Sequence, residues 1–322
     1  MNNVLITSGG RRVSLVKAFK NELTKIFPES KVFVADNRTD LSAAAQIADK
    51  SFDISKVTGK DYIEKLLDIC IHNDVKLIVP TLDTELSVLA RHKKQFDDRG
   101  IAVVISDLSL VEVSESKVTT QDFFDKIGIE TGRIYAKDNY KLPVYIKPIN
   151  GSCSIDNFII KTENDFSKKH FSDDKFLFFE YLDHDLYEEY TCDLYYDKNG
   201  VLKTAVPRKR IEVRGGEVSK AITKKDAVLD YIKQKLATLE GARGCVIFQF
   251  FKHKENDEIR GIEINARFGG GYPLTYLAGG NFPKWMIEEY LLNKEIEVFN
   301  DWEENLLMLR YDTEVLVHDH TE

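Results

Sequence analysis

The first hundred residues alternate between short apolar segments and longer segments with helical periodicity. The apolar segments lie at residues 4–7, 32–35, 77–79 and 101–105. The helical segments lie at residues 13–27, 60–73 and 86–99. Parallel strands need a crossover connection, which is usually a helix, so this alternation predicts a parallel sheet with helices on both faces.

The character of the chain changes after about residue 106, where short strand-like segments become dominant. Helices are predicted at residues 116–127, 226–239 and 283–292. Strands are predicted at residues 144–147, 158–161, 176–180, 190–196, 202–206, 246–251, 259–264 and 306–311. The predicted fold class is therefore α/β, with a parallel sheet in the N-terminal part followed by a β-rich α+β part.

Composition excludes several classes of function. The 322 residues carry a net charge of −8, which argues against nonspecific binding of nucleic acid. Cys70, Cys153, Cys192 and Cys245 form no C-x-x-C pair, so free thiols in a reducing cytoplasm are expected. No apolar run suits a signal peptide or a membrane span, so no membrane partner is expected.

The most informative stretch lies at residues 261–271. In an extended strand, Glu263, Asn265 and Arg267 share one face, while the apolar residues between them face a core. Carboxylate and amide oxygens suit Mg²⁺, a guanidinium suits phosphate, and the following glycines allow close approach of a substrate. The alternative is a solvated edge strand, and a binding site is favoured over it.

Gln249 provides a geometric test of this site. The segments 246–251 and 259–264 are predicted to pair as a hairpin whose turn centres near Asn256 and Asp257. That centre places Gln249 opposite Glu263 on the same face, so that neighbouring strands supply oxygen donors to one point. A slip of one residue would break this arrangement.

Lys147 ends a predicted strand and precedes the Gly- and Ser-containing residues 150–154. A lysine beside such a loop suits phosphate, because backbone N–H groups can close over the anion. The Walker A pattern is absent, so the chain is not a P-loop protein. An ordinary surface hairpin is the alternative.

Acidic residues follow two of the later strands. Glu180, with the backbone of Tyr181 and Leu182, suits the edge of an adenine, and Glu189 suits ribose hydroxyl groups. A solvated acidic loop is the alternative for this region when it is taken by itself.

Two turns of the N-terminal domain are further candidates. Gly9-Gly10 before a helix suits an anion, and Asp36 ends the second strand, where dinucleotide enzymes bind ribose. However, Arg11 and Arg12 interrupt the Gly-x-Gly-x-x-Gly pattern, so an ordinary tight turn is equally favoured and NAD binding is not.

Thr81, Asp83 and Glu85 follow the strand at residues 77–79, at the carboxyl end where open α/β sheets bind ligands. The alternative is helix capping, with Asp83 or Thr84 as the N-cap and acidic residues in the first turn. Capping is favoured for any single residue, and a role facing the substrate stays open for Asp83 or Glu85.

In this order, Lys117, Lys147, Glu180, Glu189, Glu263, Asn265 and Arg267 resemble the ATP-grasp superfamily. The chain is most similar to stand-alone proteins that resemble one ATP-grasp unit of carbamoyl-phosphate synthase large subunits. The resemblance covers nearly the whole chain. It implies a Rossmann-like pre-ATP-grasp domain at residues 1–106, a lid subdomain at 107–180 and a C-terminal ATP-grasp subdomain at 181–322.

The resemblance also implies roles for individual residues. The nucleotide-binding set would be Lys117, Lys147, Ser152 in a mobile loop, Glu180, Tyr181, Leu182, Glu189 and Arg210. Gln249, Glu263 and Asn265 would bind Mg²⁺ or Mn²⁺, and Gln249 lies where the family usually has an acidic or amide metal contact. Arg267 and Lys147 would be catalytic, with Arg267 at an acyl phosphate. Arg208 and Arg210 share a strand face and would meet phosphate or a substrate carboxylate.

The implied activity is an ATP-dependent ligase that activates a carboxylate as an acyl phosphate, releases ADP and joins the acid to an amine. A carbamoyl-phosphate synthase-like activity is one alternative, although such synthases use two ATP-grasp units and a glutaminase partner. A nucleotide-binding module without catalysis is another. The expected partners are ATP and small-molecule substrates, and a homodimer is left open.

Overall fold

The computed structural model describes residues 1–149 and 156–320. Its N-terminal part alternates strands and helices: β1 (Asn3–Thr7), α1 (Val13–Ile26), β2 (Val32–Asp36), α2 (Ala43–Ile47), β3 (Lys50–Asp53), α3 (Tyr62–His72), β4 (Val75–Pro80), α4 (Asp83–Asp97) and β5 (Ala102–Val103). The strands form a parallel sheet in the order β3-β2-β1-β4-β5. The predicted sheet is confirmed, although strand β3 was missed because its residues are mostly polar.

The central strand of this sheet shows why helices cover both faces. Val4 and Ile6 belong to a buried cluster that contains Phe19 of helix α1. Leu5, between them, belongs to the cluster on the opposite face, which contains Leu66 of helix α3. Alternate residues of one strand are therefore buried on opposite sides, as in doubly wound sheets.

Two helices and a small sheet follow. The elements are α5 (Leu108–Glu115), α6 (Lys117–Lys126), β6 (Ile134–Tyr135), β7 (Val144–Pro148), β8 (Phe158–Ile160), α7 (Lys168–Ser172) and β9 (Phe176–Glu180). The strands pair antiparallel in the order β6-β9-β7-β8. Val144, Ile146 and Phe178 form the centre of a small core under this sheet.

A larger antiparallel sheet occupies the rest of the chain. Its elements are β10 (Tyr187–Tyr196), β11 (Leu202–Arg214), β12 (Glu217–Thr223), α8 (Ala227–Lys235), β13 (Gly244–His253), β14 (Ile259–Asn265), α9 (Tyr272–Leu277), α10 (Phe282–Leu291) and β15 (Leu307–Leu309). The strand order is β14-β13-β10-β11-β12-β15. Together with the parallel sheet, it gives the predicted α/β class with an antiparallel ATP-grasp-like part.

The hairpin formed by β11 and β12 differs from the sequence-based expectation. A strand at residues 202–206 is predicted, whereas strand β11 continues to Arg214 and then turns into β12. Gly215 and Gly216 form the turn with positive φ values of 59° and 78°, a conformation that glycine adopts without steric cost. The end of strand β11 was missed because its residues are mostly charged and exposed.

An aromatic contact joins the N-terminal domain to the large sheet. The ring of Phe19 in helix α1 lies edge-on to Phe268, with ring centroids 6.1 Å apart. Phe268 also packs against Tyr272 and Phe282. This packing brings the turn after strand β1 close to the end of strand β14, where the candidate site lies.

The predicted boundaries at residues 106/107 and 180/181 stay a prediction. Among the described residues, none of the helices has the length and apolar character that a membrane crossing requires.

Candidate functional site

A cleft of about 1040 Å³ lies between the small sheet and the large sheet, and residues of the N-terminal domain line one end of it. Nearly all of the predicted site residues line this cleft: Lys117, Lys147, Glu180, Tyr181, Leu182, Glu189, Arg210, Gln249, Glu263, Asn265 and Arg267. Ser152 and its loop lie outside the described residues. Residues from distant parts of the sequence therefore meet at one place.

The predicted register of the β13–β14 hairpin is confirmed. Gln249 pairs directly with Glu263 across the two strands. The side-chain amide of Asn265 donates to the Glu263 carboxylate over 3.2 Å. One carboxylate and two amide groups thus share a small region of the sheet face.

The chemistry of this donor set fits Mg²⁺ bound together with phosphates. Among the described residues, no group of three or more His, Cys, Asp or Glu side chains could enclose a metal ion. Mg²⁺ keeps several water ligands and commonly uses one or two carboxylates plus substrate phosphate oxygens. Glu263, with amide oxygens from Gln249 and Asn265, matches that mode better than an all-protein cage.

Arg267 connects this sheet face to the N-terminal domain. Its Nη2 atom donates to the Asp83 carboxylate over 2.7 Å and to the Asn265 side-chain oxygen over 3.1 Å. Burial acts to lower the pKa of Arg267, but the charge and hydrogen bond of Asp83 outweigh it, so the pKa lies above its ordinary value. Its Nε atom is buried without a hydrogen-bond partner among the described residues, and is available to a ligand.

The structure separates the two alternatives for Asp83 and Glu85. The Glu85 carboxylate accepts hydrogen bonds from the backbone N–H groups of Thr81 and Leu82, at 2.8 and 3.0 Å. Glu85 is fully buried, and this burial raises its pKa. Glu85 is therefore the capping residue, whereas Asp83 lines the cleft beside Arg267.

Two lysines concentrate positive charge on the opposite wall of the cleft. The ammonium of Lys147 lies 4.3 Å from the centre of the Phe179 ring. Burial, and then the neighbouring charge of Lys117, lower the pKa of Lys147 to about 8. Lys117 begins helix α6, and burial lowers its pKa as well. The negative charge of Glu263 acts to raise the pKa of both lysines, so this carboxylate, which belongs to the predicted metal-binding set, lies close enough to interact with the two amines.

The segment after strand β9 provides backbone groups at the edge of the cleft. The Glu180 carboxylate accepts a hydrogen bond from the backbone N–H of Arg133 over 3.1 Å. Within residues 1–149 and 156–320, the backbone of Leu182 has no hydrogen-bond partner. An unpaired peptide group beside a cleft is suited to reading the polar edge of a ligand.

Glu189 and Arg210 form an ion pair in the same cleft. The guanidinium of Arg210 lies 2.5 Å from the Glu189 carboxylate and 3.4 Å from the side-chain oxygen of Gln249. The Nε atom of Arg210 is buried and has no partner in the part of the chain that the structure describes. Arg210 therefore links Glu189, the predicted ribose residue, to the sheet face formed by Gln249, Glu263 and Asn265, which is called the metal-type face below.

Arg208 has a different environment from its neighbour Arg210. It is fully buried and makes two hydrogen bonds to Asp193, at 2.8 and 3.0 Å. Thr275 also donates to Asp193. Most of the hydrogen-bonding capacity of Arg208 is therefore used inside the fold, and its Nη1 atom is left unpaired among the described residues. A contact between Arg208 and a ligand stays a prediction.

Asp36 closes the first turn of the N-terminal domain. Its carboxylate accepts from the backbone N–H of Gly10 over 2.9 Å and from that of Asn37 over 2.8 Å. Both contacts agree with the alternative of an ordinary tight turn.

The sequence-based reasoning missed Arg12 as a site residue. Arg12 lines the cleft, and its Nη2 atom donates to the backbone oxygen of Thr81 over 2.9 Å. Its sequence signal was the pair of arginines directly after Gly9-Gly10, which reasoning from the sequence used only to argue against a dinucleotide motif.

The arrangement of the sheets is that of an ATP-grasp fold, and matches to two family models agree with it. Residues 4–104 match the family described as PylC-like, N-terminal domain. Residues 172–313 match the family described as ATP-grasp in the biosynthetic pathway with Ter operon. The predicted resemblance to the ATP-grasp superfamily is thereby confirmed.

A more particular similarity is to carbamoyl-phosphate synthase. The protein of that name from Methanobrevibacter smithii is 22% identical over 233 residues, which cover 64% of this chain and 61% of that protein. The match thus spans less than two-thirds of the length of this relative.

Solved structures share the fold over almost the full chain. The biotin carboxylase domain of Hydrogenobacter thermophilus 2-oxoglutarate carboxylase, in complex with MgADP and bicarbonate, has a TM-score of 0.69 at 14% identity, covering 94% of this chain and 73% of its own. The N5-carboxyaminoimidazole synthetase from Staphylococcus aureus, complexed with ADP, has a TM-score of 0.68 at 15% identity, covering 96% and 80%. At such identities, the likeness concerns the fold alone.

Proposed function

We propose that the protein is an ADP-forming carboxylate–amine ligase that uses ATP and Mg²⁺. The observation that carries this proposal is the convergence of Lys117, Lys147, Glu263 and Arg267 on one cleft. Two amines, an oxygen-donor face and a buried guanidinium together suit the charge that develops during phosphoryl transfer.

The nucleotide is proposed to lie along the cleft from Leu182 to Lys147. The unpaired backbone of Leu182 suits the polar edge of adenine, and Glu180 lies at the end of the adjacent strand. Glu189 is proposed to accept hydrogen bonds from ribose in exchange for part of its contact with Arg210. The lowered pKa of Lys147 supports a phosphate contact, because an anion would relieve its repulsion from Lys117.

The metal is proposed to be held by Glu263, with Gln249 and Asn265 as neutral oxygen donors. When bound, Mg²⁺ neutralises charge on the phosphate oxygens. The side chains themselves orient the phosphates relative to Arg267, which already contacts Asn265. With one carboxylate in the set, we expect the metal to bind much more tightly with the nucleotide than without it.

The reaction is proposed to have two steps. A carboxylate oxygen of the acid attacks the γ-phosphorus, and the bond from that phosphorus to the oxygen of the departing ADP breaks. The amine nitrogen then attacks the carbonyl carbon, the bond from that carbon to the phosphate oxygen breaks, and a proton leaves the nitrogen. Arg267, whose Nε atom has no partner among the described residues, is proposed to bind the acyl phosphate, and Lys147 is proposed to stabilise the transferred group.

Glu263→Gln tests the proposal. We expect loss of ATP turnover by about 10²-fold or more, because the only carboxylate of the proposed metal set becomes neutral. Release of ADP is measured over carboxylates paired with amines. Glu255→Gln in the exposed turn of the same hairpin is the matched control and should keep full turnover. Unchanged turnover in Glu263→Gln would contradict the metal role.

A carbamoyl-phosphate synthase-like activity is the second candidate, favoured by the 22% identity to the Methanobrevibacter protein. Turnover that depends strictly on bicarbonate would support it over the general ligase. Tight binding of ATP without turnover for any pair of substrates would instead support a nucleotide-binding module.

A further inference from the structure

The cleft continues past Arg267 to an end lined by Arg12, Glu217 and Gly269–Gly271. Arg12 comes from the turn after strand β1, whereas Glu217 begins strand β12 of the large sheet. Two distant parts of the chain therefore supply opposite charges to the same end. This end lies beyond the residues assigned to the nucleotide.

Arg12 is the residue at this end whose charge is not matched. Among the described residues, its side chain makes one hydrogen bond, to the neutral carbonyl of Thr81, and forms no ion pair with a carboxylate. The side chain is half-buried. Burial, followed by the like charge of Arg267, lowers the pKa of Arg12 to about 10. A half-buried, unpaired guanidinium beside a second guanidinium is costly to maintain unless an anion binds there.

Neighbouring arginines add unfilled hydrogen-bond donors. The Nε atom of Arg267 and the Nη1 atom of Arg208 are both buried without a partner among the described residues. Arg208 is completely buried and lines the cleft. Its Nη1 atom would be only 2.2 Å from a Cβ atom added at Gly271, so glycine leaves this donor uncovered. Hydrogen-bond donors without a partner among the described residues therefore lie at two places: at the end of the cleft lined by Gly269–Gly271, called the glycine end below, and at Arg267, where the acyl phosphate is proposed to bind.

Hydrogen bonds place Arg12 relative to Arg267. Arg267 donates to Asn265 on the face of the large sheet and to Asp83 of the N-terminal domain. Arg12 donates to the backbone of Thr81, two residues before Asp83. Arg12 therefore lies on the N-terminal-domain side of Arg267.

We propose that Arg12 binds a second anionic group of the substrate, remote from the carboxylate that is phosphorylated. This proposal rests on the proposed ligase function, in which Arg267 is at the reacting group. The substrate class that follows is an acid or an amine that carries an additional carboxylate or phosphate. Arg12 is then a specificity residue, supplied by the N-terminal domain to a reaction carried out in the ATP-grasp part.

Binding of small anions to the intact chain tests Arg12 directly. Succinate, inorganic phosphate and the monoanion propionate are titrated calorimetrically, with and without ADP and Mg²⁺. We expect a dianion to bind the wild type at least about tenfold more tightly than propionate. Arg12→Gln should abolish this preference, and Arg12→Lys, which keeps the charge, should retain part of it.

Arg11→Gln is the matched control, because the side chain of Arg11 is 85% exposed and its partner Glu217 keeps an ion pair with Arg310. It should bind the anions as the wild type does. If succinate binds more tightly than phosphate, the second anionic group of the substrate is a carboxylate. If phosphate binds more tightly, that group is a phosphate. Thermal unfolding without ligand shows whether Arg12→Gln folds. If it does not fold, dianion binding by Arg12→Lys is compared with that by Arg11→Gln, and the role of Arg12 predicts weaker binding by Arg12→Lys.

Two outcomes would overturn the role of Arg12: equal dianion binding by Arg12→Gln and the wild type, or no dianion binding by the wild type. Failure of ADP to bind is a separate result that counts against the proposed function. In a turnover assay, the specificity role predicts a raised KM for the anionic substrate with KM for ATP unchanged. A fall in kcat alone would also contradict it.

Discussion

The substitution Lys147→Met tests whether the charge of Lys147, which lowers the stability of the folded chain, is needed to bind the nucleotide. In the folded chain, the pKa of Lys147 falls from 10.5 to about 8, chiefly through burial. This difference corresponds to about 3 kcal/mol by which folding disfavours the ammonium. Methionine keeps the length of the side chain and packs well against aromatic rings such as Phe179. The variant should therefore unfold less readily than the wild type at pH 7, by up to about 3 kcal/mol.

The same reasoning sets the pH dependence. In the unfolded chain Lys147 keeps its proton up to about pH 10.5, whereas in the folded chain it releases it near pH 8. Between these values the unfolded state binds more protons, so this group makes the protein more stable as pH rises. Below about pH 8 the lysine is charged in both states and the full cost is present. Lys147→Met should lack this rise.

Urea unfolding at about pH 7 and pH 9.5, combined with ATP binding, measures both effects. Lys175→Met is the matched control, because its ammonium also lies over a phenylalanine ring, 4.7 Å from the centre of Phe176, but its side chain is 49% exposed. The control should change stability by less than about 1 kcal/mol and leave ATP binding intact. Lys147→Met should bind ATP at least about tenfold more weakly. A less stable Lys147→Met variant, or one with unchanged ATP affinity, would refute the reasoning.

Two further predictions concern the support of the glycine end. Gly271→Ala would place a Cβ atom 2.2 Å from Arg208 Nη1, so it should lower the free energy of unfolding by about 1–3 kcal/mol in a denaturant titration. Gly132→Ala, whose nearest neighbour is 3.7 Å away, should cost less than about 1 kcal/mol, and equal costs would contradict the packing argument. Asp193→Asn leaves the buried charge of Arg208 without its carboxylate and should cost about 3–5 kcal/mol; a cost below about 1 kcal/mol would show that the pair is not needed.

Local patterns in the sequence were sufficient for much of the metal-type face. Alternation in strand β14 places Glu263 and Asn265 on one face, and the turn between the strands sets the register that pairs Gln249 with Glu263. Both features depend on residues near one another in the chain. For that reason they were predictable without knowledge of the tertiary structure.

Local patterns were insufficient where one sequence motif allowed two roles. Asp83 and Glu85 both lie in the first turn of the next helix, where acidic residues support a cap. Which of the two faces the cleft depends on which side chain contacts Arg267, a residue far along the chain. Arg208 and Arg210 likewise share a strand face. One is enclosed with Asp193 inside the fold, and the other reaches Glu189 in the cleft.

The sequence by itself determined a parallel sheet with helices on both faces, the register of the β13–β14 hairpin and the set of residue types that suits ATP and Mg²⁺. These properties follow from periodicity, turn position and side-chain chemistry, which are local. Only the tertiary structure decided that Arg12 lines the same cleft as Arg267 and has no ion-pair partner among the described residues. That arrangement depends on the packing of helix α1 against Phe268, and therefore on surfaces that no single segment specifies.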